Sequence, residues 1–557
     1  MPVGRAIELP HVLYWGDHAD DEYWDRGLLS DVLAGTAWRV PGSPSFTNMH
    51  GARLPDGRGG VMVVAARQNV EHVAELEREM TRMAWCLVAL TGDEEDAFPW
   101  RDVTHDGVRV WKMGGQVAAM DGCAQPLGSG YPPWFRACLP NTAPDKPLDW
   151  YFAGQLNHAR RDDMAAAFRD QPNGLLLPSP GFTQGRAHGD YAHGLASAKV
   201  APCPSGLHTP DTFRLYEALE AGCIPLADGA TPGGRADDYW TYIFGGPPPF
   251  PVVGEWEHAP ATMREILDGW PANANRVGAW WQQWKRDLAY RFHDQLADLR
   301  GEPRTMDRPA DEITVVMPTS PAGLHPSTAH IEETIESIRA SLGDCEIVVC
   351  ADGVRPEQEH LRDAYDEYLR RLVWLTNHRW HNVVPVLMDT WGHQANVARH
   401  ALTQVRTPLV LFVEHDTPLV GDIDWSALCA AMHTGRANVI RLHHETHVLE
   451  PHRHLMLDRE PRVIAGAPML RTEQWSQRPH LARTLWYRQL IDRVFPESSR
   501  SMIEDRVYGI VENACRDHGV TGWEEWRLWL YAPDGSIKRS THLDSRGDGD
   551  KYDMRFT

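Results

Sequence analysis

The sequence predicts an α/β protein of several domains, with parallel sheets covered by helices on both faces. Three observations predict it. Short apolar, strand-like runs alternate with helix-like stretches along nearly the whole chain. A polar segment with two prolines and no apolar period interrupts that alternation near the middle. A chain of 557 residues is also too long for a single core, so two to four domains are expected.

In chain order, the strand-like runs of the first block are "HVLYWG", "GVMVVAARQ", "AWCLVALTG", "GVRVWKMGG", "LDWYFAGQ", "GLLLPSPG" and "GCIPLADG". Helix-like stretches such as "NVEHVAELEREMTRMA" and "DTFRLYEALEA" lie between them, and the Trp-rich "RVGAWWQQWKRDLAYRFHDQLADLR" reads as a closing helix. A Pro-rich bridge at residues 139–150 halves this block, giving expected domains over 1–145 and 146–300. The break "RGEPRTMDRPADE" places a linker at 301–312 and a last domain at 313–557. There the alternation resumes with "EITVVMPTS", "HIEETIESIRASLG", "EIVVCADG", "QANVARHALTQV" and "LVLFVEHDTPLV".

The formal net charge of -21 repels nucleic acid and anionic membranes, which counts against a DNA-binding role. No run of eighteen apolar residues could span a bilayer, and the start "MPVGRAIELPHVLYWGD" lacks a basic n-region and an apolar h-region; a cytoplasmic protein is expected. Nine cysteines, with no Cys-x-x-Cys pair, sit mostly in apolar segments and read as reduced, buried hydrophobes. The 23 tryptophans suit the apolar faces of sugar rings as well as ordinary cores, and for any one of them the core is the first expectation.

In open α/β sheets ligands bind beyond the carboxyl ends of the strands. In the last domain those ends carry Pro318, Thr319 and Ser320, then Asp352 and Gly353, then Glu414, His415 and Asp416. Hydroxyls and carboxylates placed there accept hydrogen bonds from a ribose or base, or hold Mg2+ or Mn2+ against a diphosphate. Taken alone, the Glu-His-Asp triplet is compatible with a cap, a zinc site or a metal-diphosphate clamp. The cluster "RLHHETHVLEPHRH" suggests zinc, but it lacks His-Glu-x-x-His, and an acceptor-side loop of imidazoles suits it better.

The series "VVMPTSP", "VVCADG", "GHQANVARHAL", "LFVEHD", "MIEDRVYG" and "RSTHLDSR" resembles the inverting GT-A glycosyltransferases of the cellulose, hyaluronan and spore-coat type, over about 313–545. The resemblance implies that Thr319 and Asp352 contact the nucleotide and that Asp416 and His542 hold Mn2+ or Mg2+. Glu414, in nucleotide-sugar binding, stands where that family has Asp. It further implies that Asp505 takes the acceptor's proton with Glu504 as helper, and that the product is inverted. Without the resemblance, Glu504 and Asp505 would be acids at a helix start.

In the first block, "PCPSG" opens a loop, Thr209 to Thr212 supply a cap, and "DTFRLYEALEAG" is a short helix closed by Gly222. Such a helix start receives a diphosphate on its N–H groups, with Arg214 as a bidentate cation and Glu217 one turn later able to hold a ribose diol. The other reading is a solvent-facing Arg214–Glu217 pair. Leu195, Ser197, Lys199, Cys203, Pro204, Gly206, Arg214, Glu217, Ala218, Leu219, Ala221, Gly222, Cys223, Ile224 and Pro225 resemble the exostosin-like GT-B glycosyltransferases over about 150–300. The resemblance implies that Arg214 and Glu217 bind phosphate and ribose without a metal. It also puts Lys199, Gly206 and Arg160 in nucleotide-sugar binding, and Gly154 with Arg160 or Arg161 in the lining of the same cleft. The first 145 residues are then the acceptor-side half, where Asp17 and His18, after "HVLYW", are candidate catalytic groups on strand-end position alone.

The expected fold is therefore α/β, a GT-B pair of Rossmann-like halves followed by a GT-A domain, and the expected function is bifunctional glycosyl transfer. Donors are nucleotide sugars, UDP-sugars first among them, and the acceptor is a glycan or glycoconjugate. The architecture resembles the exostosin polymerases of heparan sulfate without a membrane anchor. Two alternatives are glycosylation of hydroxymethylated DNA bases, against which the charge argues, and a catalytically dead sugar-binding scaffold, against which the retained acids argue.

Overall fold

A computed structural model describes residues 11–15, 27–29, 46–48, 57, 59–114, 124–181, 184–301, 306, 308–533 and 538–543. The chain forms two compact units, residues 1–304 with 377–379, and residues 305–376 with 380–557.

Unit 1 holds two parallel sheets. The first comprises β1 (His11–Trp15), β2 (Phe46–Asn48), β3 (Gly60–Ala65), β4 (Cys86–Thr91), β5 (Val108–Met113) and β6 (Ala124–Leu127), in the order β2-β1-β3-β4-β5-β6. Every neighbouring pair is parallel. Met62, Val64, Val88, Leu90 and Val110 pack with Leu76 and Met80 from the helix Val73–Arg82, which is the buried stripe that its 3.6-residue period predicts.

The second sheet comprises β7 (Leu148–Gln155), β8 (Gly174–Ser179), β9 (Ala198–Cys203), β10 (Ile224–Asp228) and, after a small hairpin of β11 (Ala230–Thr231) and β12 (Gly234–Arg235), β13 (Val252–Val253). Its order is β13-β10-β9-β7-β8, all parallel. The order reverses at β7, so the crevice at the carboxyl ends of β7 and β9 is this sheet's switch point. The Trp-rich stretch is a single helix, Ala272–Arg300. Its Trp281 and Trp284 are buried and stacked 5.1 Å apart, and Trp281 donates to the buried Glu220 at 2.7 Å; these rings are spent on packing.

Unit 2 is built on one nine-stranded sheet of β14 (Ile313–Thr319), β15 (Glu346–Ala351), β16 (Val383–Leu387), β17 (Leu409–Phe412), β18 (Val439–Leu442), β19 (Arg462–Ile464), β20 (Ala467–Arg471), β21 (His480–Arg483) and β22 (Leu528–Tyr531). The order is β16-β15-β14-β17-β21-β18-β22-β20-β19. β14 to β17 are parallel, and order reverses at β14, which places a second switch point where β14 and β17 end. The sheet is mixed, contrary to the expectation of purely parallel sheets: β21 runs antiparallel to β17 and β18, and β20 to β19 and β22. An apolar run reports that a strand is buried, whereas its direction depends on where the connection returns. The fold is thus α/β with three Rossmann-like sheets, two in unit 1 and one in unit 2. Among the described residues no helix is long and apolar enough to cross a membrane.

Candidate functional sites

In unit 1 the switch point opens into a cavity of about 500 Å³ whose walls include Gly154, Arg161, Arg186, Tyr191, Arg214 and Glu217. Arg214 is the second residue of the helix Phe213–Glu220. Its guanidinium lies 4.3 Å above the Phe152 ring and donates to the Ala153 carbonyl at 2.6 Å, while its buried Nε has no hydrogen-bond partner among the described residues. Gly154 makes this possible: at φ +156° it has no Cβ, and one placed there would stand 2.2 Å from Arg214 Nη2.

One turn on, Glu217 is buried and accepts a hydrogen bond from the Tyr191 hydroxyl at 2.6 Å. Burial pushes its carboxyl up to about 7, against the opposing effects of the Tyr191 hydrogen bond and Arg214. Arg161 donates to the Ser205 and Gln155 carbonyls at 3.3 Å each, and burial with the neighbouring Arg214 pushes it down to about 10. Thr212 is the N-cap residue, as its sequence position predicts, but its hydroxyl makes no cap bond and is buried without a partner among the described residues. Of the first-turn N–H groups, that of Leu215 donates to the Thr212 carbonyl at 3.1 Å, and Thr212, Phe213 and Arg214 at the helix start line the cavity, where the positive end of the helix dipole favours an anion.

Other expected residues lie elsewhere. Arg160 is buried against Asp228, with nitrogen–oxygen distances of 2.5 and 3.3 Å, and also donates to the Gly254 carbonyl at 2.8 Å. Asp228 in turn accepts from the Ser205 and Ala230 N–H groups and from Trp256 Nε1. Arg160 is thus a structural cation, and Arg161 is the one that lines the cavity. Lys199 pairs with Asp149 at 2.9 Å and sits 5.5 Å from the Trp270 ring, away from the cavity wall. Gly206 closes a turn, donating to Thr209 O at 3.0 Å, and does not line the cavity. Asp17 and His18 lie outside the described residues.

Arg186 and Tyr191, and the Trp134–His188 pair that is stacked 3.8 Å apart at the wall, carried no sequence signal. They come from a loop and from two short helices, Pro133–Ala137 and His188–Ala196, with no motif. Only the fold brings them to β7.

In unit 2 Thr319 ends β14, buried, with its hydroxyl 3.0 Å from Tyr368 Oη. Asp352 accepts the N–H groups of Gly353, Gly392 and His393 at 2.8, 2.6 and 3.0 Å, and burial raises its pKa despite them. Its main work is to hold the turn into the helix His393–Gln404, with three of about four acceptor positions taken. Glu414 is pushed up to about 7 by burial and then by Asp416, opposed by Arg478 and by a 3.0 Å hydrogen bond from Gln394. The same Gln394 accepts the Ile503 N–H at 2.9 Å, tying the end of β17 to the start of the helix Ile503–His518.

Glu504, next along that helix, accepts the Gln477 N–H at 3.1 Å, and burial raises its pKa while Arg441 and Arg478 lower it. Asp505 is exposed on the same turn. Glu414, Glu504, Arg441 and Arg478 thus form one electrostatic cluster from which Asp505 stands outward. Neither arginine was anticipated from the sequence.

His542 reaches Asp416 because residues 539–543 lie alongside 416–420. Val420 N–H donates to Arg539 O, Leu419 bridges Ser540, Thr541 N–H donates to Pro418 O, and Leu543 N–H donates to Asp416 O at 2.7 Å. His542 Nε2 then stands 3.6 Å from Asp416 Oδ2. His415, between the two acids, is half-buried, and desolvation lowers its pKa. Among the described residues no three His, Cys, Asp or Glu side chains converge as a metal cage, either here or in the 441–454 histidine segment. There His443 is bound to the Glu445 carbonyl at 2.6 Å.

No family model and no curated protein matches the chain. Among solved structures, S. aureus TarS 1–349 is similar at 15% identity and a TM-score of 0.27, over 42% of this chain and 60% of that one. Its complex with UDP-GlcNAc gives the same figures. The mannosyltransferase PcManGT from Pyrobaculum calidifontis, in complex with GDP-Man and Mn2+, is similar at 14% identity and a TM-score of 0.25, over 47% of this chain and 64% of that one. The chain thus spans less than two thirds of either protein. At these scores the likeness carries no argument about function.

Proposed function

We propose that this chain is a glycosyltransferase with two nucleotide-sugar sites, one in each unit, acting on a glycan or glycoconjugate acceptor. The observation that carries the proposal is the unit 1 cavity, where Arg161, Arg186 and Arg214 gather at the start of a helix with Glu217 one turn away. Guanidiniums and helix N–H groups bind a diphosphate, and a carboxylate at this spacing accepts from a ribose diol. The volume lies in the ordinary range for small-ligand sites. Arg214 and Glu217 are assigned to phosphate and ribose, with Gly154 and Arg161 in the same wall, and no metal is needed there. In this reading residues 1–145 form the acceptor-side half, 146–300 the donor half, 301–312 a linker and 313–557 the metal-dependent transferase.

For unit 2, the end of β17 and the residues beside it are the site. Asp416 and His542 fit a divalent ion: a carboxylate oxygen and an imidazole nitrogen 3.6 Å apart are close enough to be neighbouring ligands, and the imidazole favours Mn2+ over the harder Mg2+. A bound ion would offset charge on the departing diphosphate. Glu414, held by Gln394, stands at the same strand end for donor contact, with Thr319 and Asp352 shaping the nucleotide wall. Asp505, open to solvent, takes the proton of the acceptor hydroxyl, while Glu504 fixes the helix start through Gln477.

The direct test is calorimetric titration with UDP and GDP in EDTA. The wild type binds one of them, and Arg214→Ala weakens that binding by about 100-fold, as loss of a bidentate charge-assisted contact of roughly 3 kcal/mol implies. Unchanged affinity in Arg214→Ala contradicts the assignment.

A further inference from the structure

Transfer in unit 1 also needs a group to take the acceptor's proton, and one acid on the first sheet is placed for it. β4 ends at Thr91 and leads into Gly92, Asp93, Glu94, Glu95 and Asp96. Three of the four acids have evident structural partners. Asp93 is buried, 3.1 Å from Lys112 Nζ, and accepts the Ala97 and Phe98 N–H groups; Asp96 shares Lys112 at 2.8 Å. Glu95 faces Arg67 at 3.6 Å and His208 at 3.5 Å near the surface.

Glu94 differs. Its carboxylate lies against the loop that leads from β9 into the Arg214 helix: Oε2 is 3.6 Å from where a Cβ on Gly206 would stand. Gly206 therefore brings the donor half's loop up to this acid. The basic side chains around Glu94 are His208, Arg161 and Arg67, and the acids are Glu95 and Asp211. Of these, Arg161 also lines the nucleotide cavity and interacts with Arg214. Arg161, which donates to the Ser205 carbonyl next to Gly206 at 3.3 Å, thus interacts both with Arg214 and with this half-buried carboxylate of the first sheet.

We propose that Glu94 is the general base of the transfer reaction in unit 1. The proposal rests on the reading of the cavity as a nucleotide-sugar site. The acceptor hydroxyl oxygen bonds to the anomeric carbon, and its proton passes to the Glu94 carboxylate. The bond from that carbon to the phosphate oxygen breaks, and its electron pair leaves on the nucleoside diphosphate. Arg161 keeps Glu94 ionised before the step and faces the leaving phosphate during it. Burial raises the Glu94 pKa above the ordinary carboxylate value, which makes it the stronger base.

The test uses the full chain carrying Asp416→Ala, in EDTA, with a panel of UDP- and GDP-sugars, reading nucleotide release with and without glycan acceptors. UDP and GDP binding is measured in parallel. Glu94→Gln, isosteric and uncharged, is expected to bind nucleotide within about twofold of the parent and to lose kcat by 10²-fold or more, with the acidic limb of the kcat/KM profile abolished. Glu94→Asp should regain part of the rate. Release by Glu94→Gln within about threefold of the parent overturns the proposal, as does loss of nucleotide binding in step with rate, which marks Glu94 as a support for Arg161. A parent chain that binds neither nucleotide overturns the cavity reading itself, and the proposal with it.

Discussion

Gly154 and Glu217 show how single residues set the character of the unit 1 cavity. Gly154 yields its side-chain volume to the Arg214 guanidinium. Gly154→Ala should therefore displace Arg214, weakening nucleotide binding about tenfold or more while thermal unfolding shows a fold that is largely kept. Glu217 carries its proton to higher pH in the folded chain, about 7 against an ordinary 4.5. The folded state then binds a proton more tightly than the unfolded one, so this group's contribution to stability is complete below about pH 4.5 and is lost as pH rises through about 7. Glu217→Gln should flatten that part of the Tm profile between pH 5 and 8. An unchanged slope would mean that the burial of Glu217 does not govern its titration.

At the scale of elements, the strand-like runs and most helix-like stretches were legible because burial and period are written locally. "LDWYFAGQ", "EIVVCADG" and the helix 272–300 needed no context. β16 and the short strands β19, β20 and β21 were not legible, since "RVI", "APMLR" and "HLAR" mix polar with apolar residues and owe their pairing to neighbours. The same limit explains Arg160 and Lys199. Adjacent arginines on one helix face different sides, and only the partner Asp228 decides which of Arg160 and Arg161 turns inward. Arg160→Ala leaves Asp228 buried without its cation and should destabilise unit 1 by about 3–5 kcal/mol in chemical denaturation. Lys199→Ala, breaking a partly exposed pair, should cost about 1 kcal/mol or less. The pairing of residues 539–543 with 416–420 is set by the fold and not by a local pattern, and it brings His542 to Asp416. His542→Ala should raise the Kd for Mn2+, measured with UDP present, at least tenfold with the fold kept.

At the scale of the whole chain, the two units present the same logic at different strand ends: a sheet whose order reverses, and charged side chains at the reversal. Unit 1 supplies guanidiniums and a helix start, which suit a diphosphate without a metal. Unit 2 supplies carboxylates and an imidazole, which suit one with a metal. The chain's charge of -21 makes the local gathering of Arg161, Arg186 and Arg214 more telling, because an acidic protein concentrates cations where an anion is held. The central claim is that these are two independent nucleotide-sugar sites. It is tested most directly by nucleotide release from a panel of UDP- and GDP-sugars, with Mn2+ or with EDTA, for the wild type, Arg214→Ala and Asp416→Ala. The account predicts that Arg214→Ala abolishes only the EDTA-resistant release and Asp416→Ala only the Mn2+-dependent release; release that neither substitution alters, or that each abolishes under both conditions, would contradict it.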